Sequence, residues 1–148
     1  MPALDFSEIS PATGGPGRDS FELFAREVLH HVGFQVLEGP DRGADGGRDL
    51  IVEERRMGVG GESRVRWLVS CKHKAHSGAS VTSADEPDIQ DRLTTHGCEA
   101  FLGFFSTLPS SGLAGKLSGA AGKFAHLIYD PERIERVLRG SAEGIKLA

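Results

Sequence analysis

Gly46-Gly47-Arg48-Asp49-Leu50-Ile51-Val52 and Arg66-Trp67-Leu68-Val69-Ser70-Cys71-Lys72 are the two stretches whose reading decides the fold. Each has a short apolar centre rich in strand-forming residues and is bounded by charge or glycine, which predicts two β-strands. The second belongs to a strand read from Arg64 to Lys72, apolar on both faces around Val65, Trp67, Leu68 and Val69, as a central strand should be. Met57 to Glu62, with Gly58, Gly60 and Gly61, is the expected hairpin tip between them. If the hairpin is centred between Val59 and Gly60, Asp49 falls opposite Ser70 and Gly47 opposite Lys72. Directly opposed residues lie about 4.5–5.5 Å apart, close enough to share one water or one cation. Alternation puts Ser70 and Lys72 on one face and turns Cys71 to the other. A one-residue slip in register would exchange those faces.

The flanking sequence supplies the rest of an α/β domain. Residues 1 to about 17, with Pro2, Pro11, Gly14, Gly15, Pro16 and Gly17, read as a flexible leader, and residues 18–148 as the domain. Asp19 and Glu22 are spaced as a capping box for a first helix. Its apolar stripe is Phe21, Phe24, Val28, Leu29 and Val32, and Gly33 stops it. Phe34 to Glu38 is a first strand, Gly39 to Gly46 a turn-rich loop, and Gly47 to Glu54 the second strand. Ser83 to about His96 is expected to be helical, with Ser83 and Glu86 as its capping box and Pro87 in its first turn. Glu99 to Ser106 is a buried strand, Ser110 to about Phe124 a helix of small residues, and His126 to Tyr129 a last strand. Asp130-Pro131 opens a final helix that Gly140 ends. The order αβββαβαβα implies helices flanking a mixed central sheet, with the first three strands as a meander.

Composition narrows the class. The 148 residues suffice for one core, and 39% hydrophobic with 26% charged residues is ordinary for a globular domain. No apolar run approaches a membrane span, and no secretory signal pattern opens the chain. Two cysteines, Cys71 and Cys98, suit a reducing cytoplasm rather than a disulfide framework. The net charge of −4 argues against indiscriminate nucleic-acid binding. Locally, Arg55, Arg56, Arg64, Arg66, Lys72 and Lys74 crowd the hairpin, with Glu53, Glu54 and Glu62 among them. That crowd reads either as a solvated charged hairpin or as a basic rim for a phosphate backbone.

The juxtaposition of Asp49 with Ser70 and Lys72 suits metal-dependent cleavage of a phosphodiester. Magnesium takes about six oxygens, commonly one or two carboxylates plus water and phosphate. A neighbouring lysine can orient the attacking water or stabilise charge in the transition state. The chain resembles the PD-(D/E)xK restriction-endonuclease superfamily, in its Mrr-type branch. The residues that carry this are Phe21-Glu22, Gly43-Ala44-Asp45-Gly46-Gly47-Arg48-Asp49-Leu50 and Val69-Ser70-Cys71-Lys72. Phe104-Phe105-Ser106-Thr107 and Leu127-Ile128-Tyr129-Asp130 are similar to its later strands. The resemblance covers roughly residues 19 to 139. It implies a restriction-endonuclease-like αβββαβ core and Mg²⁺- or Mn²⁺-dependent endonuclease action on DNA, in a setting such as defence against foreign DNA. Asp49 corresponds to the metal-binding aspartate, Lys72 to the catalytic lysine, and Glu22 to a helical acid that often completes the metal site.

One position departs from that pattern. Where the family has Glu, Asp or Gln, this chain has Ser70, a neutral and weaker metal ligand. Ser70 then ligates weakly or through water, with Glu22 or Asp45 supplying the missing charge; otherwise the site is degenerate, and the chain is a nucleic-acid-binding or protein-interaction module of the same fold. Asp45 also reads as a turn residue. Arg48 and Lys74 are the candidate phosphate contacts, Arg48 being equally readable as a surface strand residue. Cys71, His73 and His76 lack a fourth ligand for zinc. Asp85, Glu86 and Asp88 read as dipole-favoured acids of a helix start, with Gln90 or Asp88 as alternatives facing the site. No second domain for reading DNA sequence is evident, so specificity is expected from a homodimer, a separate partner, or the structure or modification of the DNA.

Overall fold

The computed structural model describes residues 20–38 and 50–140. Among these, five strands form one sheet in the order β1-β2-β3-β4-β5: β1 (Gln35–Glu38), β2 (Leu50–Gly58), β3 (Gly61–Lys72), β4 (Ala100–Phe105) and β5 (Ala125–Tyr129). β2 pairs antiparallel with both β1 and β3, while β3, β4 and β5 are mutually parallel. Among the described residues four helices flank them: α1 (Ser20–Val32), α2 (Ile89–Thr95), α3 (Ser111–Gly119) and α4 (Pro131–Arg139). This is the expected α/β meander with later strands reached through helices.

The β2–β3 register pairs Leu50 with Val69 and closes at Gly58 opposite Gly61. A turn centred between Val59 and Gly60 dictates that register, as read from the sequence. The hairpin is longer than expected, however. Met57 and Glu62, assigned to the tip, are paired strand residues, and only Val59 and Gly60 turn the chain. Gly61 takes φ +105°, a conformation that a side chain resists.

Alternation splits the interior into two layers. On one face Leu50, Val52, Trp67, Val69, Ala100, Leu102 and Phe104 meet Phe21, Ala25, Val28 and Leu29 of α1 and Ile134 and Leu138 of α4. On the other, Ile51, Leu68, Phe101 and Phe105 meet Ile89 and Leu93 of α2 and Leu113 and Leu117 of α3. Gly33 ends α1 at φ +124°, and Asp130 caps α4 by accepting from the Arg133 N–H at 2.9 Å.

Two expected helices begin or end elsewhere. The one predicted over 83–96 is a single 3-10 turn, Ser83–Asp85, followed by α2 from Ile89. Pro87 explains this: it disfavours helical backbone at the preceding residue, and Glu86 accordingly leaves the helix at φ −125°, ψ 68°. The capping box is therefore Thr82 with Asp85, not Ser83 with Glu86. α3 stops at Gly119, short of Phe124, among glycines that hold a helix weakly. The leader, Asp19, and residues 39–49 with Asp45, Arg48 and Asp49 lie outside the described residues.

Candidate active site

Everything near Lys72 is organised by the parallel edge shared by β3 and β4. Lys72 is the last residue of β3 and pairs with Phe105 at the end of β4. Its carbonyl accepts from the Ser106 N–H at 3.1 Å. The chain that leaves β3 is then held by the buried Ser106 hydroxyl, which accepts from the N–H groups of Lys74 (2.8 Å) and Ala75 (3.0 Å) and bonds His73 Nδ1 (3.0 Å). In sheets of this kind, ligands bind outside the carboxyl ends of parallel strands, and Lys72 stands there half-buried. Among the described residues no acceptor holds its ammonium.

Two residues back, Ser70 is fully buried on the face covered by α2 and α3. Its hydroxyl donates to Glu86 Oε1 at 3.0 Å. Glu86 is also fully buried, and the same oxygen accepts from Arg92 Nη1 at 2.9 Å. Lys116 Nζ donates to the Glu86 carbonyl at 2.9 Å. Among the described residues Glu86 Oε2 has no hydrogen-bond partner. Leaving such a buried oxygen without a donor typically costs about 1–3 kcal/mol. The segment is held tightly: Asp88, two residues on, is the one described non-glycine residue at positive φ, +49°. Beside Ser70, β4 carries Gly103, where an added Cβ would sit 2.4 Å from the Phe105 ring.

The other expected site residues lie apart. Glu22 is buried on α1, the layer covering the opposite face from Ser70, although α1 starts at the correct end of the sheet. There Phe21 stacks on His73 with ring centroids 4.7 Å apart. Lys74, a candidate phosphate contact, is engaged: its ammonium bonds the Asp85 carboxylate and the Ser80 carbonyl. The lysine's hydrogen bond, with the Thr82 N–H, holds the Asp85 carboxyl at about 2 instead of 3.8. Asp88 and Gln90 are exposed. The hairpin basic residues are mostly paired within the ribbon, Arg64 and Arg66 with Glu53 and Arg56 with Glu54. A cleft of about 940 Å³ lined by Arg26, His30, Phe34, Gln35 and Glu53 lies between α1, β1 and the middle of β2, away from Lys72.

A hard divalent cation needs oxygen donors of negative charge. Among the described residues no group of three His, Cys, Asp or Glu side chains is placed to hold a metal. Beside Ser70, the strand position where the sequence pattern leads one to expect an acid, the described part offers a buried carboxylate oxygen without a donor among the described residues, Glu86 Oε2. That donor fits magnesium or manganese, as Ser70 alone does not.

Glu86 was not legible as a site residue, because its sequence neighbours read as the acidic start of a helix. The signal that separates it from them is Pro87: a residue before proline does not continue a helix, and so is free to turn inward.

Residues 17–108 match a restriction endonuclease family model, the Mrr catalytic domain, over more than half of the chain. No curated protein matches. Among solved structures, the chain is similar to one described as "DNA modification-dependent restriction endonuclease AspBHI", at 14% identity and TM-score 0.67, over 98% of this chain and 41% of that one. A second, "MspJI Restriction Endonuclease in Complex with 27-mer Oligonucleotide", is 18% identical with TM-score 0.49, over 85% of this chain and 28% of that one. The chain thus spans about two fifths or less of the length of these structures. At these identities the first likeness concerns the fold, which is that of a restriction endonuclease.

Proposed function

Because the chain belongs to the restriction endonuclease family of Mrr type, we propose that it is a Mg²⁺- or Mn²⁺-dependent endonuclease that hydrolyses phosphodiester bonds of DNA. The observation that carries this reading is the placement of Lys72. It ends β3 at the carboxyl edge of the parallel strands, and no acceptor among the described residues holds its ammonium.

In this reading Lys72 donates to the attacking water or to a phosphate oxygen as charge develops there. Asp49, one residue before the start of β2, is the carboxylate that holds the cation, and Glu22 would reach the same end of the sheet from α1. A bound divalent ion would supply Lewis acidity at the phosphate and a more acidic water. Ser106 and the β3–β4 pairing keep Lys72 in place. Arg48 and Lys74 are the proposed phosphate contacts, with Lys74 required to leave Asp85 to serve. Target choice would come from a second copy, a partner or DNA modification, in a cytoplasmic defence role.

Ser70 favours a second reading, a nucleic-acid-binding module that has lost cleavage, since a buried hydroxyl bonded to Glu86 contributes no charge of its own. Plasmid, linear, methylated and single-stranded DNA incubated with Mg²⁺ or Mn²⁺, beside chelator controls and Asp49→Ala, separate the two. Metal-dependent nicking that Asp49→Ala abolishes is the expected result. Salt-dependent DNA binding without cleavage of any substrate establishes the module instead.

A further inference from the structure

We propose that Glu86 supplies the metal-binding carboxylate that position 70 lacks. This rests on the metal-dependent reading above and names a residue outside the strand motif. A hydroxyl two residues before the lysine leaves the site one negative charge short. The described structure puts a carboxylate at that spot from a different segment: Glu86 reaches β3 from beyond the 3-10 turn and meets the Ser70 hydroxyl at 3.0 Å.

The hydrogen-bond pattern distinguishes a ligand from a filler. Both donors, Ser70 and Arg92, go to Oε1, and Oε2 is left buried without any among the described residues. A carboxylate held only for structure would be expected to spread its donors over both oxygens, since each buried oxygen needs one. One oxygen clamped and one open is what a monodentate metal ligand requires. The clamp also gives Ser70 a role: it positions Glu86 rather than binding the ion itself. Pro87 and the strained Asp88 hold the segment inward, and Lys116 fixes the Glu86 carbonyl. The acid and the lysine then remain on one face of one strand, with the acid borrowed from a neighbouring segment.

The test measures Mn²⁺ binding directly, by calorimetry and by loss of the free-ion electron paramagnetic resonance signal, on the full chain without DNA. Glu86→Gln preserves shape and the contacts at Oε1. It should weaken Mn²⁺ binding at least tenfold, as should Asp49→Asn. The exchange Ser70→Glu with Glu86→Ser returns the carboxylate to the strand and should restore binding. If Asp49→Asn loses Mn²⁺ while Glu86→Gln binds as the parent does, the proposal about Glu86 falls and the metal-dependent reading stands. Absence of Mn²⁺ binding by the parent chain overturns both. Circular dichroism reports folding. Should Glu86→Gln not fold, the exchange variant decides: folded and binding supports the proposal, folded and not binding overturns it. Failure of both variants to fold assigns Glu86 to the core and overturns it as well.

Discussion

The sheet face that packs on α1 and α4 is apolar from Leu50 and Val52 through Trp67, Val69, Leu102 and Phe104 to Tyr129. The face beneath α2 and α3 starts the same way, with Ile51, Leu68, Phe101 and Phe105, but is interrupted at Ser70 and Gly103. Over Ser70 lie a buried carboxylate and its arginine instead of a methyl group. Buried charge stabilises poorly against an apolar alternative, so a fully buried carboxylate bonded directly to a strand residue of this face points to use rather than support. The first face is built for stability. The second gives up part of that stability where β3 approaches Lys72, the proposed catalytic residue.

The sharpest way to break this contrast is to cut into the apolar face. Phe104 is fully buried and stacks with Tyr129. Phe104→Ala should cost about 3–5 kcal/mol in denaturant unfolding, with activity lost only in proportion to the unfolded fraction. A smaller loss would mean that this face can collapse around the void. On the second face, Gly103→Ala drives a Cβ into the Phe105 ring, whose neighbours are all packed. The expected loss is about 1–3 kcal/mol. An unchanged melting temperature would show that Phe105 can swing away and that the layer is looser than described.

Helix ends offer milder controls. Asp130→Ala removes the cap of α4 and should destabilise by about 1 kcal/mol without touching cleavage. The smallest effect is electrostatic. Asp85 has its pKa depressed in the folded state, so its contribution is present above the ordinary 3.8 and fades as pH falls towards about 2. Melting curves should therefore show the parent losing more stability than Asp85→Asn across that interval. Parallel curves would remove the Lys74–Asp85 pair from the account.

The contrast also explains what the sequence revealed. The glycines around Val59 and the apolar centres of β2 and β3 fix a register through local turn geometry and burial, both of which are written in neighbouring residues. The parallel strands were legible for the same reason: Phe101 to Phe105 is an unbroken apolar run, buried throughout. The length of the ribbon was less legible, because its outer half is held by cross-strand Glu–Arg pairs such as Glu53 with Arg64 and Arg66, which carry no apolar alternation. Ser106 and Glu86 were not legible as supports of the site. Their partners, His73 and Ser70, lie far away in sequence, and each resembles its polar neighbours until the chain is folded. Asp49 and Arg48 fall outside the described residues, so their roles rest on the sequence.

The most direct test of the functional claim is Lys72→Ala, followed by Mg²⁺-dependent nicking of supercoiled plasmid and by melting temperature on the same preparation. The account predicts cleavage reduced by about 10²–10³ with the melting temperature unchanged, since the ammonium serves chemistry and not packing. Cleavage by Lys72→Ala at the parent rate would contradict it.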